Sequence, residues 1–401
     1  MNVAMLNTAR ARGGAARMAA SLVRDLNRSG RGVHAVLYHA EDDRVDPLHH
    51  GLKRRGSRPL NALLARLGGS LSIADLGLAR EVVARTRDAD LLHAHNLHGY
   101  YIDYRAVLSA WRDRPVVWTW HDMWGATGRC GAGYECGLWQ GGCRKCPHLE
   151  FYPAAWVDHA AREFQTKQEI FFGLRNLWIV TPSAWLGEVA ARRGFDPGRI
   201  RVIPNLVDSE YRPMPKGEAR RAVNLPAEAF VALFVASDCG DPRKGYAAFA
   251  KALDGLPVLG VAVGKPPARG DPAIHHAGSI REAARMGSYY SAADVMVMSS
   301  VAENYPLSVI ESLLSGTPVV GFATGGVPSQ LDLPFCRIVE PGDVGALREG
   351  VRTWREAGGK TDEISRALAA QAAERWSPRR IVDMYCDLYA QAVAGRAAAG
   401  T

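Results

Sequence analysis

AENYPLSVIESLLSGTPVVGFATGGVPSQL, residues 302–331, follows the apolar run Val295–Ser299 and decides how the rest of the chain is read. Its order predicts a strand, a tight loop carrying Glu303, a helix opening at Pro306 and a Gly-containing turn. A second strand through Val319, Val320 and Phe322 and a turn at Gly325-Gly326 complete it. Proline suits a first helical position, because its fixed φ is helical and its missing N–H would be unpaired anyway. The amides that follow, with the helix dipole, offer positive potential to an anion. Glu311 falls in the second helical turn, and helical side chains lean back toward the N-terminus. Two carboxylates, Glu303 and Glu311, therefore flank an anion site. Carboxylates repel phosphate oxygens but accept paired hydrogen bonds from neighbouring hydroxyls. A ligand with a diphosphate at its centre and hydroxyls on both sides fits, which is the chemistry of a nucleotide-sugar.

The same alternation of short apolar runs and helical patterns extends in both directions. Strands are expected at Val3–Leu6, His34–Tyr38, Leu91–His95, Val116–Trp120, Leu177–Val180 and Arg201–Pro204. Four more are expected at Val231–Ala236, Val258–Val263, Val295–Met298 and Val319–Phe322. Helical stretches such as Ala15–Asn27, Ala161–Phe172 and Tyr246–Leu253 follow them. Near-continuous apolar strands between amphipathic helices imply an α/β fold of parallel sheets covered on both faces. Prolines 204, 213 and 215 interrupt the series. The expected division is residues 1–205 and 206–376 as two doubly wound, Rossmann-like domains, with 377–401 as a last helix and tail. Ligands bind such sheets beyond the carboxyl ends of the strands, so the two domains are expected to face each other across a cleft.

A chain of 401 residues is long for one core, and 47% apolar with 22% charged residues is a globular composition. No apolar run reaches the roughly 18 residues of a membrane span. The opening MNVAMLNTARARGG is interrupted by arginine too early for a secretory signal, so a cytoplasmic body is expected. The net charge of +8 is uneven: residues 1–210 carry 28 Lys and Arg against 21 Asp and Glu, whereas residues 211–401 carry 21 against 20. An electropositive first half, with KRRGSR at Lys53–Arg58, suits anionic lipid headgroups or a lipid-pyrophosphate acceptor on the inner membrane surface. Incidental arginine on solvated faces would look the same. Nucleic acid is a poor match, because no regular aromatic pattern interleaves the basic residues.

Beyond residues 302–331, five stretches carry a further signal: LLHAHNLHGYYIDY (91–104), VVWTWHDMWGATGRCGAGYECGLWQGGCRKCPHL (116–149), VTPSAWL (180–186), VIPNLVD (202–208) and DPRKG (241–245). Together they resemble, in order and over nearly the whole chain, family 4 retaining glycosyltransferases of the GT-B fold. The likeness is strongest to bacterial exopolysaccharide and lipopolysaccharide enzymes. The resemblance implies a first domain that takes the acceptor and a second that takes the nucleotide-sugar. It also implies a last helix, about Pro378–Ala392, that crosses back to the first domain.

It further implies roles. Arg243 and Lys244 would bind the donor diphosphate and stabilise the leaving group, as two adjacent cations beyond a strand are suited to do. Glu311 would hold the ribose diol, and Glu303 the sugar hydroxyls near the reacting carbon. Asn304 and Tyr305 stand where many relatives have Gly-Phe-Gly, and would line the sugar pocket with Leu307 beside them. His121, at the end of the strand VVWTW, would meet the donor sugar from the acceptor side. Gly13 and Gly14, between first strand and first helix, would approach the diphosphate or the acceptor. Asn96, His98 and Asp122 are acceptor-side candidates. The dipeptide Gly325-Gly326 permits close backbone approach or merely a turn.

Cys130, Cys136, Cys143 and Cys146, four of seven cysteines, read C-x5-C-x6-C-x2-C within a Gly- and Trp-rich loop at about 122–150. Four thiols at this spacing suit a structural zinc ion, and equally reduced packing cysteines or a disulfide. A loop of that length inside a domain is usually functional or stapled, and it is expected to wall the acceptor site.

The expected chemistry is front-face transfer with retention. The acceptor hydroxyl attacks on the leaving group's side, and the departing phosphate oxygen takes its proton. Neither a strong side-chain base nor a divalent metal is then needed. A nucleotide-sugar epimerase or hydrolase of the same fold and a non-catalytic nucleotide-sugar-binding subunit are the rivals. The last would be expected to have lost Lys244 or Glu303, and both are present.

Overall fold

The computed structural model describes residues 1–10, 13–40, 45–52, 60, 63–64, 66–67, 76–99, 101–132, 136–150, 154–207 and 210–398. The basic run Lys53–Arg58 lies outside these. The chain divides into two compact units, Met1–Leu206 with Arg379–Thr401, and Val207–Pro378. The breaks fall one and two residues beyond the expected boundaries at 205 and 376.

In the first unit, β1 (Asn2–Asn7), β2 (His34–His39), β3 (Val45–Asp46), β4 (His49–Gly51), β5 (Leu91–Ala94), β6 (Val116–Thr119), β7 (Leu177–Thr181) and β8 (Ile200–Val202) form one sheet. Its order is β3-β4-β2-β1-β5-β6-β7-β8, parallel except for β3 against β4. The two short strands β3 and β4 were not expected, being too short for a periodic signal. Leu6, Leu92, Trp118 and Ile179 pack on one face, and Met5, Leu91, Val117 and Val180 on the other. Alternate side chains of each strand thus feed opposite faces, and both faces are covered, as parallel sheets require. The helix Pro378–Ala398 belongs to this unit, with Ile381, Tyr385 and Tyr389 buried beside Met18 and Leu22 of the helix Gly14–Arg28. Asn176 ties its far end down by donating to the Ala392 carbonyl at 2.7 Å.

The second unit holds β9 (Val231–Asp238), β10 (Leu259–Lys265), β11 (Ile274–Gly278), β12 (Val295–Met298), β13 (Val319–Phe322) and β14 (Arg337–Val339) in the order β11-β10-β9-β12-β13-β14. All its pairings are parallel. The edge strands β11 and β14 escaped sequence reading: only Ile274 of β11 is buried, and β14 buries Val339 alone. Half-exposed edges lack the apolar run on which the reading relied.

Strand order places the functional loops. In a doubly wound sheet, the chain leaves neighbouring strands in opposite directions at one switch point, opening a crevice there. That point lies between β1 and β5 in the first unit and between β9 and β12 in the second. Gly13, Gly14, Asn96 and His98 follow β1 and β5, and Arg243, Lys244 and Glu303 follow β9 and β12, beside these two points; His121 and Asp122 follow the next strand, β6.

Candidate active site

In the second unit, β9 ends in a short turn of 3-10 helix, Pro242–Lys244, capped by Asp241. Gly245 follows with φ +73°, and a Cβ there would lie 1.9 Å from the Ser299 carbonyl oxygen. Only glycine lets this turn press against the chain leaving β12. Val301 N–H donates to the Arg243 carbonyl at 2.9 Å and Ser299 Oγ to that of Gly245 at 2.9 Å, so the two loops are fastened together. The outcome is a direct contact between Lys244 Nζ and Glu303 Oε1 at 2.5 Å. Arg243 is held by Asp241, Nη2 to Oδ2 at 2.5 Å.

A second close approach shapes Glu303 from the other side. Gly325 has φ +55°, and a Cβ on it would meet the Glu303 carbonyl oxygen at 1.9 Å. Gly326 N–H donates to the Asn304 carbonyl at 2.7 Å. Of the two sequence readings of this dipeptide, the close approach is real, and it is made to the Glu303 loop.

The helix Leu307–Leu314 begins one residue later than expected. Pro306 is its N-cap, with ψ +129°, and no side chain caps the first turn. Its leading amides are thus not consumed by a capping side chain. Glu311 lies in the second turn, buried, with Oε2 accepting from Tyr290 Oη at 2.9 Å. One expectation needs correction here. Tyr305 does not line a surface pocket; it is buried in the core, its Oη accepting from Trp376 Nε1 at 3.1 Å. An aromatic ring flanked by core positions gains more from burial than from solvent. Leu307 likewise buries its side chain. Asn304 stays half-buried.

In the first unit, Asn7 and Thr8 at the end of β1 hold the segment after β5: Asn96 N–H donates to Asn7 Oδ1 at 3.2 Å and Thr8 Oγ1 to the His98 carbonyl at 2.6 Å. Gly13, with φ +88° and open space at its Cβ position, is the uncapped N-cap of the helix whose first residue is Gly14. His98 Nε2 lies 2.8 Å from Asp122 Oδ2, while Asp122 Oδ1 accepts from Trp124 N–H at 2.9 Å. The histidine–aspartate pair is therefore His98 with Asp122, and not the adjacent His121-Asp122. Burial presses the Asp122 carboxyl upward, but His98 and the Trp124 amide prevail and hold it below its ordinary value. His121 instead contacts His95, Nε2 to Nδ1 at 2.9 Å. Its pKa is pushed down to about 4, chiefly by burial, with Asp122 opposing and His98 adding to the shift. These groups surround a recess of about 180 Å³.

Asp122 also opens the cysteine-rich loop. Cys130, Cys136, Cys143 and Cys146 are all free thiols lining one recess of about 400 Å³, with Arg129 and His148. Among the described residues no three His, Cys, Asp or Glu side chains are grouped to hold a metal ion. The clasp on the loop that the structure does show is Lys167. Its buried Nζ donates to the carbonyls of Trp124 at 2.8 Å and Thr127 at 3.2 Å and lies 3.5 Å from the Trp124 ring centroid. Burial drives its pKa down to about 7, against the pull of Glu163.

Sequence reasoning missed His95, Tyr290, Asp241 and Lys167. His95 had a signal: it shares a strand face with His93 by the two-residue period. Tyr290 and Lys167 lie on helices far along the chain and had none.

Two Rossmann-like units, one with paired cations and carboxylates beyond its strands and the other with histidines there, define a sugar-transferring enzyme of the GT-B type. A family model described as Glycosyltransferase Family 4 matches residues 12–211, and one described as Glycosyl transferases group 1 matches residues 229–356. The chain belongs to the family 4 glycosyltransferases.

It is 27% identical over 337 residues to the protein assigned as the colanic acid biosynthesis glycosyl transferase WcaC of Escherichia coli (strain K12), covering 80% of this chain and 82% of that one. To the D-inositol 3-phosphate glycosyltransferase of Mycobacterium tuberculosis (strain ATCC 25177 / H37Ra) it is 29% identical over 214 residues, 46% of this chain and 42% of the other. Among solved structures, Anabaena Alr3699/HepE in complex with UDP matches at TM-score 0.68 and 18% identity, over 98% of this chain and 100% of that one. Sucrose-phosphate synthase of Thermosynechococcus elongatus matches at 0.67 and 19%, over 98% and 99%.

Proposed function

We propose that this glycosyltransferase moves a sugar from a UDP-, GDP- or ADP-sugar to a saccharide acceptor carried on a lipid, with retention and without a catalytic metal, in cell-surface polysaccharide assembly. The Lys244–Glu303 contact carries the reading. It sets a cation and a carboxylate side by side beyond strands β9 and β12, with Glu311 following on the helix after Pro306. Arg243, Lys244 and the uncapped amides stabilise charge growing on the leaving diphosphate. Glu303 accepts from sugar hydroxyls, and Glu311, oriented by Tyr290, accepts from the ribose diol.

The names of WcaC and of HepE with UDP-glucose support a nucleotide-sugar donor and a polysaccharide product. Among the described residues no helix is long and apolar enough to cross a membrane. The basic first half supports peripheral contact with the cytoplasmic face of the inner membrane.

The test is the anomeric configuration of the product by proton NMR, run with donor, acceptor and a chelator. A retained linkage formed in the presence of chelator is expected; an inverted one overturns the mechanism. Donor turnover without acceptor at a comparable rate would favour a hydrolase.

A further inference from the structure

Three imidazoles run in a line from the core of the first unit to its strand-end recess. His93 is fully buried, its Nδ1 2.7 Å from Tyr389 Oη and its Nε2 2.8 Å from Thr119 Oγ1. The His95 ring lies 4.2 Å from it, centroid to centroid, and the His121 ring lies 5.2 Å further on, tilted by 18°. Between the last two, His95 Nδ1 and His121 Nε2 are 2.9 Å apart. His95 is 1% exposed, and its Nε2 is buried without a hydrogen-bond partner.

That orphaned atom decides the proton count. All three rings are held neutral by burial, His93 down to about 3 and His95 well below its ordinary value, so each carries one N–H. One proton occupies the His95–His121 contact. Were it on His121 Nε2, His95 would carry its own proton on Nε2, a buried N–H with no protein group to receive it. Orphaned buried N–H groups are rare and costly. With the proton on His95 Nδ1, the buried Nε2 is only a lone pair, and His121 must accept at Nε2. A neutral imidazole that accepts at Nε2 donates from Nδ1.

We propose that His95 is a positioning residue that fixes His121 as the Nδ1–H tautomer, so that His121 serves the bound saccharide as a hydrogen-bond donor and not as a proton acceptor. The ligand atom it meets is a sugar hydroxyl or phosphate oxygen with a lone pair. This rests on the proposed function for the ligand, but the tautomer assignment stands apart from it. It also agrees with transfer in which the leaving phosphate, and no side chain, takes the acceptor's proton.

The experiment is long-range proton–nitrogen NMR on the full chain labelled with nitrogen-15 histidine, the His121 signals being assigned from their loss in His121→Gln. The Nδ1–H pattern is expected for His121 in the parent chain and a mixture of tautomers in His95→Phe. Turnover should fall about tenfold in His95→Phe, the worth of one hydrogen bond, and recover in part in His95→Asn, whose amide can still donate. An Nε2–H pattern in the parent chain, or an unchanged pattern in folded His95→Phe, overturns the proposal. Should the spectra agree while no nucleotide-sugar is turned over, the tautomer stands and the assigned reaction falls.

Discussion

Lys244 Nζ and Glu303 Oε1, 59 residues apart in sequence, touch at 2.5 Å, with their side chains 26% and 13% exposed. On the proposed function, an entering diphosphate competes with Glu303 for the lysine. Lys244→Ala is expected to lower kcat about a hundredfold, the worth of one transition-state charge donor, with a smaller change in KM for the donor. Steady-state kinetics separates the two, and an unaltered kcat would take Lys244 out of the chemistry.

Glu311 is buried with its Oε2 against Tyr290 Oη. Hydrogen bonds from a diol to a carboxylate are worth about 1.5–3 kcal/mol, so Glu311→Ala should weaken donor binding roughly 10- to 100-fold. Tyr290→Phe, which removes only the orienting hydroxyl, should cost less. Calorimetric titration with the nucleotide-sugar ranks the pair; equal losses would mean that Tyr290 does more than orient.

Gly325→Ala is expected to raise KM for the donor and lower thermal stability, because its Cβ would collide with the Glu303 carbonyl oxygen at 1.9 Å in a backbone already at φ +55°. Gly137→Ala is the control: an added Cβ there meets nothing, and the change should stay within about 0.5 kcal/mol. Kinetics and melting curves on both variants make the comparison.

Lys167 binds fewer protons folded than unfolded between pH 7 and 10.5, since burial lowers its pKa from 10.5 to about 7. Stability rises with pH wherever the unfolded chain holds more protons. The melting temperature of the parent relative to Lys167→Met should therefore climb between about pH 7 and 10 and stay level below 7. A flat difference across the range would show that the lysine keeps its ordinary titration.

Tyr305→Phe should leave donor affinity within about twofold and cost about 1 kcal/mol of stability through the lost Trp376 hydrogen bond. In a unit of this size that is about 2–4 °C in Tm. A large loss of donor affinity would return Tyr305 to the sugar pocket.

Local pattern and chain order were enough to place the interior strands, the α/β class, Glu303 and the Arg243-Lys244 pair on strand-end loops, and Glu311 on the helix that follows. Apolar periodicity and punctuation by proline and glycine act over a few residues, and they survive in one dimension. Side-chain pairing does not. That Asp122 would turn to His98, that His121 would find His95, that Tyr305 would sink toward Trp376 and that Tyr290 would reach Glu311 depended on strand order and packing. These contacts join positions 21 to 71 residues apart in the chain or select between neighbours of equal promise. Sequence settled which chemical groups arrive at the strand ends of the two sheets. Tertiary structure alone decided which partner each group holds, because burial charges a cost for every unpaired polar atom and only the packed fold sets who is within reach.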